Sequence, residues 1–234
     1  MKTLRKLISL TLVFAFASIL VQCKKDNEKK PACNLITVTT APNGTPIHLN
    51  YNADGKLSRA VSATALITYE YLPNSVTILT TNSGVFQSKT IATLNIDGLA
   101  INVRTENDSS GNSWSNTFYE YNGQELSKST FTTSAGGQAV VSTYTWANQN
   151  LILLSTDATS QVFGYYSNKL RQTGDYLLLV QQLQGYEIYR NKNLFKSLDA
   201  VTLNYEFGTD GRINSLSVTS GATENFVIYE YQCE

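Results

Sequence analysis

The chain has 234 residues with 18 Lys and Arg against 18 Asp and Glu, so its formal net charge is zero and its pI is about 6.6. Such a chain has no basic field to attract nucleic acid, and we expect no nucleic-acid partner. Fourteen tyrosines accompany one histidine and one methionine. Tyrosine favours strands, whereas asparagine and glycine favour turns, so the composition predicts an all-β protein.

The N-terminus has the pattern of a secretory signal. Three basic residues within the first six precede an uncharged stretch from Leu7 to Val21, and a cysteine follows. Leu20-Val21-Gln22-Cys23 resembles a bacterial lipobox, although Gln22 stands where a small residue is commoner. The resemblance implies that residues 1–22 are a lipoprotein signal peptide and that Cys23 is the lipidated first residue of the mature protein.

Two alternatives to the lipid anchor remain. The first is an ordinary signal peptide with a coincidental cysteine, and the second is an uncleaved membrane anchor. The second is disfavoured, because a helix needs roughly 20 apolar residues to cross a bilayer and the stretch offers 15. Residues 23–32 are rich in charge and predict a flexible tether. Residues 33–234 are long enough for a single domain with its own core.

Aromatic residues recur along the predicted domain. Tyr69-Glu70-Tyr71, Tyr119-Glu120-Tyr121 and Tyr229-Glu230-Tyr231 are identical triplets, and close variants lie at 144–146 and 205–207. Positions 69, 94, 119 and 144 follow one another at a constant interval of about 25 residues, which indicates a recurring supersecondary unit. In each unit an alternating strand ends in the triplet, and a short polar turn leads to the next strand.

The turns predict hairpins. Asn or Asp beside Gly supplies the positive φ of tight hairpin turns, and such pairs contain Gly55, Gly98, Gly123 and Gly211. The segment from Tyr166 to Leu170 is interpreted as a further hairpin tip. Two strands of about ten residues and two connections account for the period. We therefore predict a long antiparallel up-and-down meander that forms a curved sheet or a barrel-like domain.

The segments 51–57 (YNADGKL) and 205–213 (YEFGTDGRI) resemble the tyrosine-aspartate repeats of Rhs-type proteins. Together with the lipobox, they look more like Bacteroidetes-type lipoproteins whose domain has been described as porin-like. The resemblance covers most of the mature chain and rests on turn chemistry and aromatic alternation. It implies a fold and an outer-membrane location, but no activity.

One interval breaks the pattern, because about 41 residues separate Tyr166 from Phe207. The apolar run from Tyr176 to Leu183 is a buried strand or a short helix, and periodicity does not decide between them. We predict a capped helical turn over 193–198. The whole region, near 176–198, either plugs one end of the curved sheet or forms a long surface loop.

The strands are apolar on one face, as around Tyr69 and Tyr205. This pattern suits a curved sheet in water, and it also suits a membrane-spanning barrel with a polar lumen. Two features argue against the spanning barrel. Outer-membrane barrels generally lack a lipobox, and they usually end on an aromatic residue, whereas this chain ends in Cys233-Glu234.

Once Cys23 is lipidated, Cys33 and Cys233 are the cysteines that remain. Export places them in a compartment where disulfides persist. Cys233 lies in phase with the apolar residues of the last strand, which predicts a Cys33–Cys233 disulfide. Free thiols are the alternative.

Residues that carry chemistry are few. His48 alternates with apolar neighbours, so it is expected on the polar face of its strand, and no catalytic triad or metal-ligand spacing surrounds it. Four glutamates recur at equivalent positions and are interpreted as cross-strand pairing groups; they are Glu70, Glu120, Glu206 and Glu230. We expect no catalytic, metal or cofactor-binding residue.

Two flexible connections, Ser109 to Ser113 and Ser134 to Gln138, are expected opposite the tight turns, where a rigid sheet could present a binding surface. The sequence favours a lipid-anchored, non-enzymatic binding or scaffold module of the outer membrane that contacts a glycan, a peptide or an envelope protein. The alternative is a carboxylate-dependent hydrolase of envelope or dietary glycans that uses glutamates on the concave face.

Overall fold

Residues 33–233 form a closed antiparallel barrel with one helix in the computed structural model, which describes this part of the chain. The predicted signal peptide, the tether and Cys23 lie outside the described residues. The first strands are β1 (Cys33–Ala41), β2 (Ile47–Tyr51), β3 (Leu57–Ser62), β4 (Ala65–Leu72), β5 (Ser75–Asn82), β6 (Val85–Leu94), β7 (Ala100–Glu106) and β8 (Trp114–Asn122). The remaining elements are β9 (Glu125–Thr133), β10 (Val140–Ala147), β11 (Asn150–Thr156), β12 (Ser160–Leu170), α1 (Tyr176–Gln184), β13 (Asn193–Leu198), β14 (Val201–Phe207), β15 (Ile213–Ser220) and β16 (Thr223–Cys233).

Each strand pairs with its neighbours in sequence, and β16 pairs with β1 to close the barrel. The predicted all-β meander is therefore confirmed, as a closed barrel rather than an open curved sheet. Cys33 and Cys233 lie opposite each other in the closing pair and are joined by a disulfide, with their Cα atoms 4.1 Å apart. The bridge ties the first described residue of the barrel to the end of its last strand.

The two ends of the barrel differ in their connections. We call the end that holds the disulfide the near end and the other the far end. The near end carries the tight turns that follow the aromatic residues, and the four glycines predicted in them, Gly55, Gly98, Gly123 and Gly211, all have positive φ. The longer connections at 107–113 and 134–139 lie at the far end.

Cross-strand register separates an apolar inner face from a polar outer face. Tyr205, Leu216 and Val227 lie side by side on the inner face of β14, β15 and β16. Across the same strands the outer face carries mostly Thr, Ser, Asn and Glu, beside a few exposed apolar residues such as Phe226. A membrane-spanning barrel has the reverse arrangement, with an apolar band outside. No helix within residues 33–233 is long and apolar enough to cross a membrane.

The helix α1 lies inside the barrel at the near end. Leu177, Leu179 and Leu183 belong to a hydrophobic cluster whose buried strand residues come from β1 to β7 and from β13 to β16. The Tyr69 hydroxyl donates to the Leu183 carbonyl at 2.6 Å. The apolar run from 176 to 183 is thus a helix, and the prediction that this region plugs one end of the sheet is confirmed.

Asp175 fixes the start of α1. Its carboxylate accepts hydrogen bonds from the backbone N–H groups of Leu177 and Leu178 and, at 2.9 Å, from that of Phe195 in β13. The first two are N-cap bonds, whereas the third attaches the helix to the barrel wall. Burial raises the pKa of Asp175, and the three N–H groups offset part of that rise. The helix ends at Gly185 in the left-handed conformation.

Two local predictions are wrong. The segment 193–198 is the strand β13 rather than a capped helical turn, because its backbone pairs with β12 and β14 and helps to close the barrel. The segment from Tyr166 to Leu170 is not a hairpin tip, because β12 continues through it and Leu170 pairs with Asn193. Asn168 has no glycine beside it to supply a tight turn, and the connection to β13 passes instead through α1.

Candidate functional site

Aromatic side chains at the near end hold the strand ends together. In four pairs of neighbouring strands, the aromatic at the end of one strand donates to a backbone carbonyl near the start of the strand before it. The bonds are 2.7 to 2.8 Å long and run from Tyr51 to Leu35, from Tyr121 to Ala100, from Trp146 to Leu126 and from Tyr231 to Ile213. These four polar groups satisfy buried backbone acceptors, so their role is structural.

Tyr71 departs from this arrangement. It ends its strand in the same way, but its hydroxyl makes no hydrogen bond to any of residues 33–233. The Lys56 ammonium lies 5.0 Å from the centroid of its ring. Burial raises the pKa of Tyr71 to about 12, so the hydroxyl stays protonated at neutral pH. The Tyr71 hydroxyl is therefore available to donate a hydrogen bond to a ligand.

Tyr71 and Lys56 line a cleft of about 510 Å³ at the near end, between α1 and the turns of the barrel. Its apolar lining includes the fully buried Leu35 and Leu57, together with Leu178 of the helix. The disulfide borders it through Cys33. The volume falls within the range of small-molecule sites, which are mostly apolar with a few polar groups.

Several polar side chains of the cleft already have partners. The Gln181 side chain exchanges three hydrogen bonds with the backbone of Ile188 and Tyr189. Glu187 forms ion pairs with Arg190 at 2.5 Å and with Arg171 at 3.6 Å. The Gln182 amide donates to the Tyr51 hydroxyl at 2.7 Å.

Lys56 differs, because no carboxylate among the described residues lies within ion-pair distance of its ammonium group. Among the described residues, the Lys56 ammonium therefore has no ion-pair partner and the Tyr71 hydroxyl has no hydrogen-bond partner.

The far end presents an open mouth. Thr117, Phe131 and Val140 lie in register across β8, β9 and β10, on the inner face that they share with the buried Val103. Although they point inward, Phe131 is 39% exposed and Val140 is 50% exposed. A second inner row is small, polar and half-buried; it contains Thr90, Thr105, Ser115 and Thr133. The inward side chains at this end are therefore accessible to solvent.

The two predicted flexible connections border the mouth, as expected. In the first of them Asp108 organises the backbone, accepting from the N–H groups of Ser110 at 2.8 Å and of Ser113 at 2.5 Å. These bonds, with one from the Ser110 hydroxyl, lower the pKa of Asp108 to about 2. The second connection contains Gly136 and Gly137, both with positive φ. The mouth is thus ringed by exposed connections on a rigid wall.

The recurrent glutamates do not form a catalytic pair. All four point outward and are exposed, on strands of which no two are adjacent; they are Glu70, Glu120, Glu206 and Glu230. Glu120 pairs with Lys128 at 2.8 Å across β8 and β9, and Glu206 accepts from the Ser215 hydroxyl. They lie on the convex outer wall rather than on the concave face, so their placement gives the hydrolase alternative no support.

His48 is exposed on the outer face of β2, as predicted. Within residues 33–233 no group of three or more His, Cys, Asp or Glu side chains is arranged to hold a metal ion. Sequence reasoning missed the cleft and the pair Lys56 and Tyr71. Lys56 follows a glycine turn that looks like the others, and nothing in the sequence places α1 opposite it.

No known protein family matches the chain, and no curated protein sequence is significantly similar to it. Solved structures are similar in fold. A porin-like protein from Bacteroides uniformis is 15% identical, with a TM-score of 0.57 over 85% of this chain and 98% of that one. A porin-like protein from Bacteroides vulgatus has the same identity and coverage, with a TM-score of 0.55. At this identity the likeness concerns the barrel fold.

Proposed function

We propose that the protein is a lipid-anchored, non-enzymatic binding or scaffold module of the bacterial outer membrane, whose far-end mouth contacts a glycan or an envelope protein. The observation that carries this proposal is the open mouth. Its inward Phe131 and Val140 are accessible to solvent and surrounded by exposed connections. Aromatic and aliphatic groups of this kind supply contact area in binding sites.

The other features of the barrel fit this role. The apolar cluster around α1 fills the near end, so the barrel is not a continuous channel. Across β14, β15 and β16 the outer face is mostly polar, which suits attachment by a lipid rather than insertion of the strands. In sequence, residues 24–32 separate Cys23 from Cys33, where β1 begins. The tether therefore joins the barrel at the end opposite the mouth. The resemblance to porin-like proteins of Bacteroides is consistent with an outer-membrane location.

The anchor is tested by metabolic labelling with a fatty-acid analogue. Wild type and Cys233→Ala should both carry the label, whereas Cys23→Ala should lose it and leave the membrane fraction. Because Cys233 lies in the disulfide, its variant controls for the loss of a cysteine as such. Label that persists on Cys23→Ala would contradict the lipid anchor.

The mouth is tested with purified residues 33–234 on an array of bacterial surface glycans and against isolated outer-membrane proteins. Phe131→Ser removes an aromatic group from the mouth, while Phe118→Ser removes one from the outer wall, where Phe118 is 51% exposed. We expect Phe131→Ser to abolish binding and Phe118→Ser to retain it. Equal binding by the two variants would contradict the mouth as the site.

A further inference from the structure

The near-end cleft has features that the proposed role of the mouth does not use. It is enclosed on one side by α1 and on the other by the turn between β2 and β3, and it is about 510 Å³ in volume. Its apolar lining that still faces water is contributed by the half-buried Leu94, Leu178 and Tyr186, above the fully buried Leu35 and Leu57. A cleft of this kind favours an apolar body, because burying apolar surface there removes it from water on both sides.

The charge at the edge of the cleft is positive and available. Glu187 is neutralised by two arginines, so it does not repel an anion. Asp54 and Asp97 are exposed in turns beside the cleft, but neither lines it. The Lys56 ammonium, which does line it, has the face of the Tyr71 ring as its neighbour and no carboxylate partner in residues 33–233. Because no carboxylate of residues 33–233 pairs with it, an incoming anionic group can supply the counter-charge.

Tyr71 adds a second donor beside the first. The hydroxyl of the neighbouring Tyr51 donates a hydrogen bond to the Leu35 carbonyl, whereas the Tyr71 hydroxyl has no hydrogen-bond partner within the described chain. An ammonium and a hydroxyl at the edge of an apolar cleft together match an anionic head group with two or more acceptor oxygens.

We propose that the near-end cleft binds an amphipathic anion, with its apolar body against Leu94, Leu178 and Tyr186 and its acidic head group accepting from Lys56 and Tyr71. The same chemistry is found in a free fatty acid, which has a carboxylate head, and in a lipid phosphate. This site is independent of the mouth, so either can fail without the other.

The test is isothermal titration of residues 33–234 with decanoate, decyl phosphate and decylammonium, each below its micelle concentration. We expect decanoate or decyl phosphate to bind with one site per chain, and the tighter of the two identifies the natural head group. Decylammonium, which has the same alkyl chain and the opposite charge, should bind at least tenfold more weakly. A tenfold difference in affinity corresponds to about 1.4 kcal/mol in binding free energy.

Two variants locate the site. Lys56→Gln should weaken binding of the anion about tenfold, the scale of one charge-assisted hydrogen bond. Thr173→Trp, at an exposed position of the lining, should fill the cleft and abolish binding. Lys196→Gln is the matched control, because Lys196 also lies over a tyrosine ring, at 5.7 Å from that of Tyr166, but outside the cleft. Its affinity should equal that of the wild type.

Several results would overturn the proposal. They are a lack of binding by both anions, equal binding of decylammonium, and wild-type affinity in Lys56→Gln or Thr173→Trp. The thermal unfolding midpoint of each variant is measured as a control for folding. Lys56→Gln should fold as the wild type does, because Lys56 has no ion-pair partner in the described chain. Failure here with intact binding of glycans or proteins at the mouth would reject the cleft alone.

Discussion

Each end of the barrel has an aspartate whose carboxylate accepts hydrogen bonds from backbone N–H groups, but the two aspartates connect different parts of the fold. Asp175 at the near end is 1% exposed and links α1 to β13 through Phe195, 20 positions further along the chain. Asp108 at the far end bonds within its own connection, to residues two to five positions ahead. The near end is therefore held by long-range contacts, whereas the far end is held by local ones. This difference leaves the far end free to vary in sequence without loss of the fold.

The largest expected effect comes from the near-end disulfide. Cys33 and Cys233 are separated by 200 positions in sequence, and in the chain-entropy model closing a loop of this size stabilises the fold by roughly 5 kcal/mol. Cys33→Ser/Cys233→Ser should lower the free energy of unfolding by about that amount, measured by urea denaturation. A loss below about 1 kcal/mol would show that the strand pairing alone closes the barrel.

Asp175→Ala should have the next largest effect. It removes a helix cap and leaves the buried N–H of Phe195 without its partner, so we expect a loss of about 3 kcal/mol in the free energy of unfolding. Asp108→Ala at the far end is the matched comparison and should lower the free energy of unfolding by clearly less, because its hydrogen bonds lie within one exposed connection. Equal effects of the two substitutions would contradict the contrast between the ends.

Two tyrosines test the structural role of the near-end aromatics. Tyr121 donates to the carbonyls of Ala100 and Ile188, so Tyr121→Phe should cost about 1 kcal/mol in the free energy of unfolding. Tyr71→Phe removes a hydroxyl without a partner in residues 33–233 and should cost close to nothing. A larger loss for Tyr71→Phe than for Tyr121→Phe would reverse the assignment of roles.

The smallest expected effect is a local pH dependence at the far end. The Ser110 hydroxyl and the backbone N–H donors of the connection lower the pKa of Asp108 to about 2, so they stabilise its charged form in the folded connection. A carboxylate whose pKa is lowered on folding stabilises the fold at pH values above its pKa in the unfolded chain, which is near 3.8. This contribution is lost as the pH falls through the folded-state pKa of about 2. Amide resonances of residues 110–113 should shift between pH 4 and pH 2. In Asp108→Asn those shifts should be absent, and their persistence would assign the titration to another group.

The fold could be predicted from the sequence where local chemistry decides it. Positive-φ glycines, aromatic alternation and the phase of Cys233 set the hairpins, the inner face and the disulfide. The sequence did not decide between a strand and a helix at 176–183, because the helix depends on the N–H of Phe195, which only tertiary structure places opposite Asp175. The strand at 193–198 was missed for a related reason, since its hydrogen bonds are made to β12 and β14 rather than within the segment.

The candidate sites were predicted unevenly. The far-end connections follow from their composition and their position opposite the tight turns. The cleft depends on the placement of α1 opposite the start of β1 and the turn between β2 and β3 in a closed barrel, and no periodicity encodes that placement. Lys56 and Tyr71 are identified as candidate binding groups only by the residues that surround them in the folded structure.

The contrast between a filled near end and an open far end is tested most directly by NMR of methyl-labelled protein with a soluble paramagnetic gadolinium chelate. The methyl groups of Thr90, Thr105 and Val140, which point into the mouth, should relax strongly, while those of Leu179, Val76 and Leu216 should be protected. Protection of Val140 and both threonines would mean that the far end is closed, and strong relaxation of Leu179 would mean that α1 does not fill the near end; either result would contradict the account.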